Sequence, residues 1–579
     1  MLITTEPSLR SPDAQPRGIA KPANSRTKLW LWLSLALAWT WCIHFWPGFH
    51  TANESIRLYF VQAVVETGHP ELDPIVARHK VTPVDRSEYG GHIYMDKAPG
   101  LSLLALPIHP LLRLARPAID DRDFWLLGWI CTLFAVALPM LLALGQLQKW
   151  LRDAAGLGDR DSLLVVLALG LASPLFVYAT LFFGHGLAAA CVAGAVFGLA
   201  RRAPEHCTRA QFALSGALLG WGGLTDTPVF VLAAMLSVWA WGRALPPEAG
   251  WSFLKRLQAI APLLAGIAAG LVLQLAVNAW TLGSPLRFAY QYKGDSNLAR
   301  IMATGFLGFR PPQGDALYGL FLGPQRGLFY HAPWLAVATA GLVLGARDKK
   351  SLWFNRLDAG ALLAVSVGYA LLVSGFADWP AGDCAGPRHL MPIVPLIGAG
   401  LAFVWRWPQL PRIGRAAIAA GIYVGALMAA AVVATFPYHF ANLSMPVLQL
   451  SFPLVVQGFF APSVGRLMGL KDWTSFGIFV VVCALPWLIR LLLPIQAPVA
   501  VEAIAPQPAT SARPHSRPVE WTVAVILLIA WLVTAMASVP SRQRRKVEGA
   551  LLKAQMLMGP DAYERDGLKP WQRGRQIED

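Results

Sequence analysis

Segments of about 20 apolar residues recur along the chain, and each is long enough to cross the hydrocarbon core of a bilayer. Of the 579 residues, 55% are hydrophobic and only 14% are charged. A soluble domain carries about 25% charged residues, so this chain lacks the polar surface that a soluble fold of its length needs. We therefore predict an all-α polytopic membrane protein.

The apolar segments predict about thirteen transmembrane crossings joined by polar loops. Their approximate bounds are 29–46, 123–148, 161–182, 185–201, 211–224, 227–243, 257–281, 332–347, 357–376, 389–407, 414–436, 472–494 and 520–539. The apolar segment 100–116 is interrupted by Pro107 and Pro110 and ends in Arg113 and Arg116. We expect it to lie in the outer interface without crossing.

Positive charge predicts the orientation, because cytoplasmic loops of membrane proteins carry an excess of Lys and Arg. With the N-terminus inside, every predicted inner loop is basic. The predicted outer loops are 47–122, 282–331, 377–388 and 437–471. Asp96 and Asp383 should then face the outer compartment, and Lys349 should face the cytoplasm. The net charge of +16 arises largely from the inner loops, so it does not indicate nucleic-acid binding.

The composition divides the chain into five parts. These are a polar cytoplasmic tail at 1–28, a transmembrane domain at 29–495, a linker rich in Pro and Ala at 496–519, a last transmembrane helix at 520–539, and an outer tail at 540–579. The six cysteines are scattered and form no CxxC pair, so we predict neither a disulfide framework nor a zinc site.

The first outer loop carries two acidic elements, and each has a structural and a functional interpretation. Asp96-Lys97 precedes a Pro-Gly turn. It is either an ion pair that fixes the turn, or a catalytic or metal-binding carboxylate beside a phosphate-binding lysine. Glu54 opens an amphipathic helix that we expect on the membrane surface. Thr51-x-x-Glu54 fits a capping box, which the local sequence favours, and the functional interpretation is a catalytic carboxylate facing a cleft.

Cations recur in the later outer loops. They are Arg287, Arg326 and Arg388, with His331 and Asp383 nearby. Arginines at helix ends can simply extend to the interface, but several from separate loops favour binding of an anion at the headgroup level. We predict that Lys97 and at least one of these arginines line a common anionic pocket. His185 lies at an outer hinge and Tyr94 beside Asp96; both have a packing role as the simpler interpretation.

These motifs resemble the GT-C glycosyltransferases, most closely the branch that holds the protein O-mannosyltransferases and the lipid A aminoarabinose transferases. Asn53-Glu54, with Arg57 downstream, matches the acidic element of their first loop, and Asp96-Lys97-Ala98-Pro99 matches their E-K-P-P element. The resemblance covers roughly residues 29–440. Asn53 replaces the first acid of the pair, and His185 stands near the place where relatives often have a second acid.

The resemblance implies an inverting transfer of a sugar from a polyprenyl-phosphate carrier to a hydroxyl of an envelope lipid, glycan or protein. The reaction would take place at the outer (periplasmic) face of a bacterial cytoplasmic membrane. It implies roles for the following residues: Glu54 or Asp96 as base, Lys97, Arg287, Arg326 and Arg388 on the donor phosphate, and Arg57, Tyr94, His185, His331 and Asp383 as possible substrate-binding residues. No clear counterpart of the family's metal-binding histidine is found, so we assign no metal ligands and leave a divalent metal open.

Two other functions remain open at this point. A transporter or flippase for a lipid-linked or anionic solute would carry Gly- or Pro-broken helices in paired halves, and Asp226 and Pro228 between two short spans are the best hint of one. A membrane acyltransferase or ligase acting on an envelope polymer is the third possibility. We find no symmetric counterpart to Asp226, and no Walker A or Rossmann motif, so the long charged outer loop favours an outward-facing enzyme.

Overall fold

The computed structural model describes residues 25–45, 51–80, 82–120, 124–244, 253–349, 351, 353–407, 409–493 and 544–558. Within these residues, six helices are long and apolar enough to cross a membrane: Phe124–Asp153, Phe253–Leu282, Asn355–Ser374, Arg388–Trp405, Arg412–Ala434 and Asp472–Leu491. Shorter apolar helical segments of 10–17 residues, some of them broken into two helices, are Gly100–Ala115, Gly184–Ala200, Val229–Arg243, Trp334–Arg347 and Val447–Val456. The chain is a multi-pass membrane protein. The count of thirteen crossings stays a prediction, and the crossing at 520–539 and the linker at 496–519 lie outside the described residues.

Further helices connect these segments and shape the loops. They are Ser25–Cys42, Ala52–Thr67, Asp73–His79, Asp159–Leu171, Pro174–Ala179, Arg209–Thr225, Ser296–Met302, Gly314–Phe321, Leu328–His331, Val464–Leu467 and Arg544–Met558, with 3-10 turns at Pro117–Asp120, Pro204–His206 and Ala289–Tyr292. One predicted crossing, 161–182, is not a continuous helix. It breaks before Pro174, whose ring cannot continue a helix, and the Ser173 hydroxyl caps the next helix by accepting from Leu175 N at 3.2 Å.

Helices Arg209–Thr225 and Phe253–Leu282 pack backbone to backbone. A Cβ atom added to Gly216 would collide with the backbone of Leu263, and one added to Gly220 would collide with Gly266. Small residues at such crossings allow the close approach that stabilises helix pairs in a membrane. This pair supports one side of the molecule and ends at Thr225, directly before Asp226.

Charged residues collect at two opposite ends of the helices. One end carries the predicted inner loops, and we call it the paired end. Among the described residues, the ion pairs there are Lys28–Asp159, Arg152–Asp159, Arg243–Asp358, Arg406–Asp348 and Arg490–Asp161. Helix Val229–Arg243 begins at the other end, which we call the cavity end, and finishes in the Arg243–Asp358 pair. The predicted inner and outer charges therefore lie at different ends of the molecule.

The cavity end contains the two described β-strands. Strands Arg86–Tyr89 and His92–Met95 pair antiparallel, and Gly90 and Gly91 between them have φ of 60° and 86°. Two successive positive φ angles are typical of a type I′ hairpin turn, which favours glycine. Because Arg86 pairs with Met95, the hairpin brings Asp85 and Asp96 side by side at its open end.

Two segments of the first outer loop differ in how they pack. Segment 100–116 forms two short helices, Gly100–Ala105 and Ile108–Ala115, and exposes Leu111 and Leu114, as suits an interfacial element. Helix Ala52–Thr67 is predicted to lie along the membrane surface, but every side chain from Asn53 to Ala63 is buried. It is packed inside the protein, so its polar residues meet protein groups and the cavity.

Candidate functional site

A cavity of about 840 Å³ opens at the cavity end. Its wall is assembled from parts of the chain that are distant in sequence: the start of helix Ala52–Thr67, the loops around 82–85 and 288–309, residues 225–231, residues 376–389, and the C-terminal helix Arg544–Met558. Four outer segments predicted from the sequence thus converge on one space. The wall has a polar side and an apolar side.

Lys97 and Lys293 hold two carboxylates on the polar side. Lys97 Nζ lies 3.0 Å from Asp85 Oδ2 and 3.4 Å from Asp96 Oδ1, and Lys293 Nζ pairs with Asp96 Oδ2. Lys293 is positioned by the hairpin, because its backbone bridges to Ser87. The two cations and two anions form a network in which Asp96 is completely buried.

This network affects the protonation of its members in opposite ways. Burial lowers the pKa of Lys97, against the attraction of Asp85 and Asp96. Burial also opposes the charge of Lys293, but Asp96 and Asp85 outweigh it and raise the pKa of Lys293. Burial opposes ionisation of Asp85 too, and the nearby cations, Lys97 first, lower its pKa overall. Lys293 and Asp85 are therefore stabilised as ions, whereas at Lys97 burial outweighs the attraction of the two carboxylates.

Arg388 is different from these lysines because its charge is not paired. Within the described residues its side chain makes no hydrogen bond or ion pair, and its Nε is buried without a hydrogen-bond partner. The guanidinium lines the cavity together with Lys97. Asp378 and Asp85 act on it only through space. Leaving a buried guanidinium nitrogen unsatisfied is costly, and an anion in the cavity would at least neutralise the unpaired charge of Arg388.

The other two predicted phosphate-binding arginines do not line the cavity. Arg326 is buried and donates hydrogen bonds to the carbonyls of Pro380 at 2.8 Å, Gly382 at 2.5 Å and Cys384. It thereby fixes the loop that carries Arg388. Arg287 donates to Tyr89 Oη at 2.5 Å and to the Leu282 carbonyl at 3.1 Å. Of the four predicted cations, the structure brings Lys97 and Arg388 into the cavity.

Glu54 has a structural environment. Its carboxylate accepts hydrogen bonds from Phe182 N at 3.0 Å, from Tyr438 Oη at 2.6 Å and from Thr51 Oγ1 at 3.2 Å. Thr51 also caps the helix by accepting from Glu54 N at 3.3 Å. Burial raises the pKa of Glu54, although these three hydrogen bonds lower it. The carboxylate is not among the groups that line the cavity, whereas Tyr438, which it holds, is.

Arg57 joins the helix Ala52–Thr67 to the Asp96-Lys97 element. Its Nη1 donates to the Ala98 carbonyl at 2.9 Å and its Nε to Asn53 Oδ1 at 3.2 Å. Both Asn53 and Arg57 line the cavity. The two first-loop motifs that were singled out in the sequence are therefore in direct contact.

His185 and Asp226 form a second polar group in the wall. His185 Nδ1 lies 2.9 Å from Asp226 Oδ2, and both residues line the cavity. The ring of His389 meets the His185 ring edge-on, with centroids 5.1 Å apart. Within the described residues, no cluster of three or more His, Cys, Asp or Glu side chains could hold a metal ion. We therefore derive no step through a metal.

Of the remaining predicted substrate-binding residues, one lines the cavity and two do not. Asp383 lines the cavity, is exposed, and accepts from Ala441 N at 2.9 Å. Tyr94 and His331 are buried outside the cavity wall. His331 is bonded through Nδ1 to the Gly327 carbonyl at 2.8 Å, and Tyr94 packs edge-on against His92. The last two support the loops around the site.

The apolar side of the cavity lies between helices Val229–Arg243 and Trp353–Ser374 and the loop that follows Ser296–Met302. It is lined by Val231, Leu298, Met302, Phe306, Leu307, Phe309, Leu372, Val373 and Phe376. Phe306 is 79% exposed and Val231 46% exposed, so apolar surface continues from the cavity to the outside. This side suits a hydrocarbon chain whose polar end reaches Arg388.

The C-terminal helix Arg544–Met558 forms another part of the wall. Lys553 and Leu557 line the cavity, and Lys553 Nζ lies 5.2 Å from the centre of the Phe440 ring. Arg466 Nη1 donates to the Met558 carbonyl at 3.2 Å. The helix is thereby attached to the loop 437–471.

Sequence reasoning missed several residues of this site. Asp85 and Asp378 were not considered, although both line the cavity, and Asp226 was noted only as a transporter hint. Burial raises the pKa of Asp378, against the pull of Arg388 and Lys97. Asp85 lies beside a strand that the sequence analysis did not predict, so it gave no local signal. Asp378 and Arg388, however, lie in one short loop before a span. An acidic and a basic residue so close in sequence are a signal that could have identified Asp378.

Comparison with known proteins finds likeness at the level of structure. ArnT from Cupriavidus metallidurans bound to undecaprenyl phosphate is 17% identical over 81% of this chain and 77% of that chain, with a TM-score of 0.47. The Archaeoglobus fulgidus oligosaccharyltransferase in the apo form is 12% identical over 75% of this chain and 56% of that chain, with a TM-score of 0.39. AglB from the same organism, in complex with an inhibitory peptide and a dolichol-phosphate, is 11% identical over 70% of this chain and 56% of that chain, also at 0.39.

No family model matches the chain, and no curated protein matches it. The similar structures are GT-C glycosyltransferases, the group that the sequence motifs resemble. Each of these TM-scores is below 0.5.

Proposed function

We propose that this protein is an integral-membrane glycosyltransferase that takes a sugar from a polyprenyl-phosphate carrier. The observation that carries the proposal is Arg388. It is a guanidinium without a hydrogen-bond or ion-pair partner among the described residues, and it lines the same cavity as Lys97. An amphipathic ligand with one phosphate and a long apolar tail fits both the charge and the apolar side of this cavity.

The cations would act on the phosphate as it leaves. Cleavage of the bond between the anomeric carbon and the phosphate oxygen puts a second negative charge on the carrier phosphate. Donors that are already in place stabilise such developing charge most effectively. Arg388 can bind a phosphate through two parallel N–H groups, and Lys97 offers a point charge. Asp85 and Asp96 hold Lys97 in position.

The apolar side would hold the carrier tail. The groove between helices Val229–Arg243 and Trp353–Ser374 reaches from the cavity to exposed Val231 and Phe306. A hydrocarbon tail there removes apolar surface from water and contributes about 0.8 kcal/mol for each buried CH₂. The acceptor hydroxyl would approach from the side of Tyr438 and the C-terminal helix. A single displacement there inverts the anomeric configuration.

The acceptor is a hydroxyl of an envelope lipid, glycan or protein on the outer face of a bacterial cytoplasmic membrane. Mass spectrometry of envelope lipids and glycans from cells with and without the protein tests this directly. We expect one glycosylated species to disappear without the protein and to return when the gene is restored. An unchanged envelope profile would contradict the proposal, and a change in which side a lipid-linked sugar occupies would instead favour a flippase.

Arg388→Ala gives the site-specific test. We expect purified Arg388→Ala to bind undecaprenyl phosphate about 30- to 5,000-fold more weakly than the native protein, because a buried phosphate without its charge partner loses about 2–5 kcal/mol. Native mass spectrometry with undecaprenyl phosphate, and with undecaprenol as the uncharged probe, measures this. Arg113→Ala, which changes an exposed arginine of the interfacial helix Ile108–Ala115, is the matched control and should bind normally. Equal binding by the two variants would remove Arg388 from the phosphate site.

A further inference from the structure

His185 and Asp226 meet across the ends of two helices that face the cavity. His185 is the second residue of helix Gly184–Ala200, and Asp226 directly follows helix Arg209–Thr225. Their Nδ1–Oδ2 distance is 2.9 Å. Within the described residues the structure assigns no hydrogen-bond partner to His185 Nε2, and the residue lines the cavity. One ring nitrogen is therefore fixed by a carboxylate and the other is available to a ligand.

We propose that His185, oriented by Asp226, is the general base that accepts the proton of the acceptor hydroxyl. The inference rests on the proposed glycosyl transfer. In that step the acceptor oxygen forms a bond to the anomeric carbon while the bond from that carbon to the phosphate oxygen breaks. The electron pair of the broken bond goes to the phosphate, and the hydroxyl proton goes to His185 Nε2. The imidazolium that forms is stabilised by Asp226.

The other carboxylates of the first loop are less suited to this role. Glu54 has three hydrogen-bond donors and does not line the cavity. Asp96 is completely buried between Lys97 and Lys293, so its carboxylate is already paired with two cations. Proton transfer requires the base to reach the reacting hydroxyl within hydrogen-bond distance, and His185 faces the open space. Asp378 also lines the cavity, but it acts on the Arg388 charge that we assign to the phosphate.

The groups around His185 are suited to keep it neutral before the reaction and to hold it afterwards. Burial, and after it the cations Arg388 and Arg57, disfavour the protonated form of His185, and Asp226 favours it. Tyr178 and His389 contact the ring edge-on. A neutral imidazole beside a carboxylate is the arrangement of a general base in many hydrolases and transferases, because the carboxylate selects the tautomer and stabilises the imidazolium.

Membranes from cells that lack the protein provide the assay, because they retain the unused donor and acceptor. Purified protein is added, and the species identified by the envelope comparison is followed by mass spectrometry. We expect His185→Gln to form this product about 10²- to 10⁴-fold more slowly, the usual contribution of a general base. Its binding of undecaprenyl phosphate, measured separately, should match that of the native protein. His206→Gln changes an exposed histidine at the paired end and should react at the native rate.

The pH profile separates a catalytic role from a structural one. Native activity should rise with pH through one titration in the range in which histidine becomes neutral. Asp226→Asn should react more slowly and reach its plateau at lower pH, because the imidazolium has lost its anionic partner. These profiles need no correctly folded His185 variant. A native profile that stays flat from pH 8 down to the lowest pH at which the protein remains folded would overturn the assignment.

Failure of the two proposals can be told apart. If the native protein binds no undecaprenyl phosphate and changes no envelope species, the glycosyltransferase proposal fails and the base proposal fails with it. If binding and product formation are normal for the native protein and also for His185→Gln, only the base assignment is wrong. In that case Asp378 becomes the next residue to test.

Discussion

The two ends of the molecule use charge in different ways. At the paired end, Asp358 accepts from Arg243 at 2.6 and 2.7 Å and from Trp239 at 2.9 Å, and all three are buried. At the cavity end, Arg388 has no such partner among the described residues, and Asp378 acts on it only through space. Ionisable residues at membrane depth are often taken as functional. Here the pairing shows which of them are structural.

The contrast also explains why arginine alone is a poor marker of a phosphate site. Arg243, Arg326 and Arg388 all lie near helix ends or loops. Arg243 fixes two helices through Asp358, and Arg326 fixes a loop through three backbone carbonyls. Arg388 has donors left over. An arginine whose donors are all used supports the fold, and one with free donors in a cavity indicates a ligand.

The compartment that each end faces gives the largest expected effect, because a position is either labelled from outside the cell or not. If the two ends face different compartments, a membrane-impermeant thiol reagent should label Asp383→Cys from outside intact cells and should leave Lys349→Cys unlabelled until the membrane is opened. Both positions are exposed. The native cysteines within the described residues are buried or half-buried, and the unmodified protein is the background control.

Labelling of Lys349→Cys from outside would reverse the orientation. The cavity would then face the cytoplasm, and an outer glycosyltransferase could not work from it.

The Arg243–Asp358 pair should have the next largest effect. Arg243→Met leaves Asp358 buried with Trp239 as its hydrogen-bond donor, and breaking a buried pair from one side costs about 3–5 kcal/mol. We expect a marked fall in the thermal unfolding midpoint of the purified protein. Arg209→Ala, an exposed arginine at the same end, should not change it.

The double variant Arg243→Met/Asp358→Leu distinguishes pairing from packing. It should recover most of the lost stability, because no unpaired charge remains. A double variant as unstable as Arg243→Met would mean that Arg243 stabilises mainly through its bonds to the carbonyls of Ala200 and Arg202.

Composition and loop charge were sufficient to predict the class of the fold and the grouping of the outer loops. Long apolar segments leave few alternatives to transmembrane helices, and residues of the four predicted outer loops line one cavity in the structure. The contact between Asp96 and Lys97 at 3.4 Å could also be predicted, because the residues are adjacent. Contacts between residues that are close in sequence follow from their spacing.

Contacts between segments that are far apart in sequence could not be predicted from the sequence. Glu54 receives hydrogen bonds from Phe182 and Tyr438, which lie 128 and 384 positions away. No spacing rule predicts such partners, so the capping and catalytic interpretations of Glu54 could not be separated. The partners of Arg287 and Arg326 are likewise set by tertiary packing. The His185–Asp226 contact joins two helices whose pairing the sequence did not show.

Glu54→Gln should affect stability more than catalysis. A glutamine offers one acceptor oxygen and places an NH₂ group against a hydrogen-bond donor, and an unsatisfied buried group costs about 1–3 kcal/mol. We expect a lower unfolding midpoint and a loss of product formation of less than about tenfold, through the displaced Tyr438. A loss of about 10²- to 10⁴-fold in a protein with a native unfolding midpoint would instead identify Glu54 as the base.

The pH dependence of the unfolding midpoint shows whether ionisation of Glu54 stabilises or destabilises the folded protein. Folding raises the pKa of Glu54 above its ordinary value of 4.5, mainly through burial. The unfolded chain therefore releases this proton at lower pH than the folded protein does. The advantage of the native protein over Glu54→Gln should shrink as the pH rises above 4.5, as measured by unfolding midpoints across that range. An advantage that grows with pH would show that hydrogen bonds to the carboxylate outweigh burial.

The smallest effect is expected at the C-terminal helix, and it tests whether that helix belongs to the cavity end. Lys553 lines the cavity but is half-buried, so water and salt screen its charge. Its contribution to the free energy of acceptor binding should therefore be about 0.2–1 kcal/mol. Lys553→Ala should raise the KM for the acceptor by about 1.4- to 5-fold and leave undecaprenyl phosphate binding unchanged. Lys546→Ala, an exposed lysine on the same helix, is the control and should change neither quantity. A loss of undecaprenyl phosphate binding in Lys553→Ala alone would place the helix beside the donor phosphate, and the acceptor would then have to enter from another side.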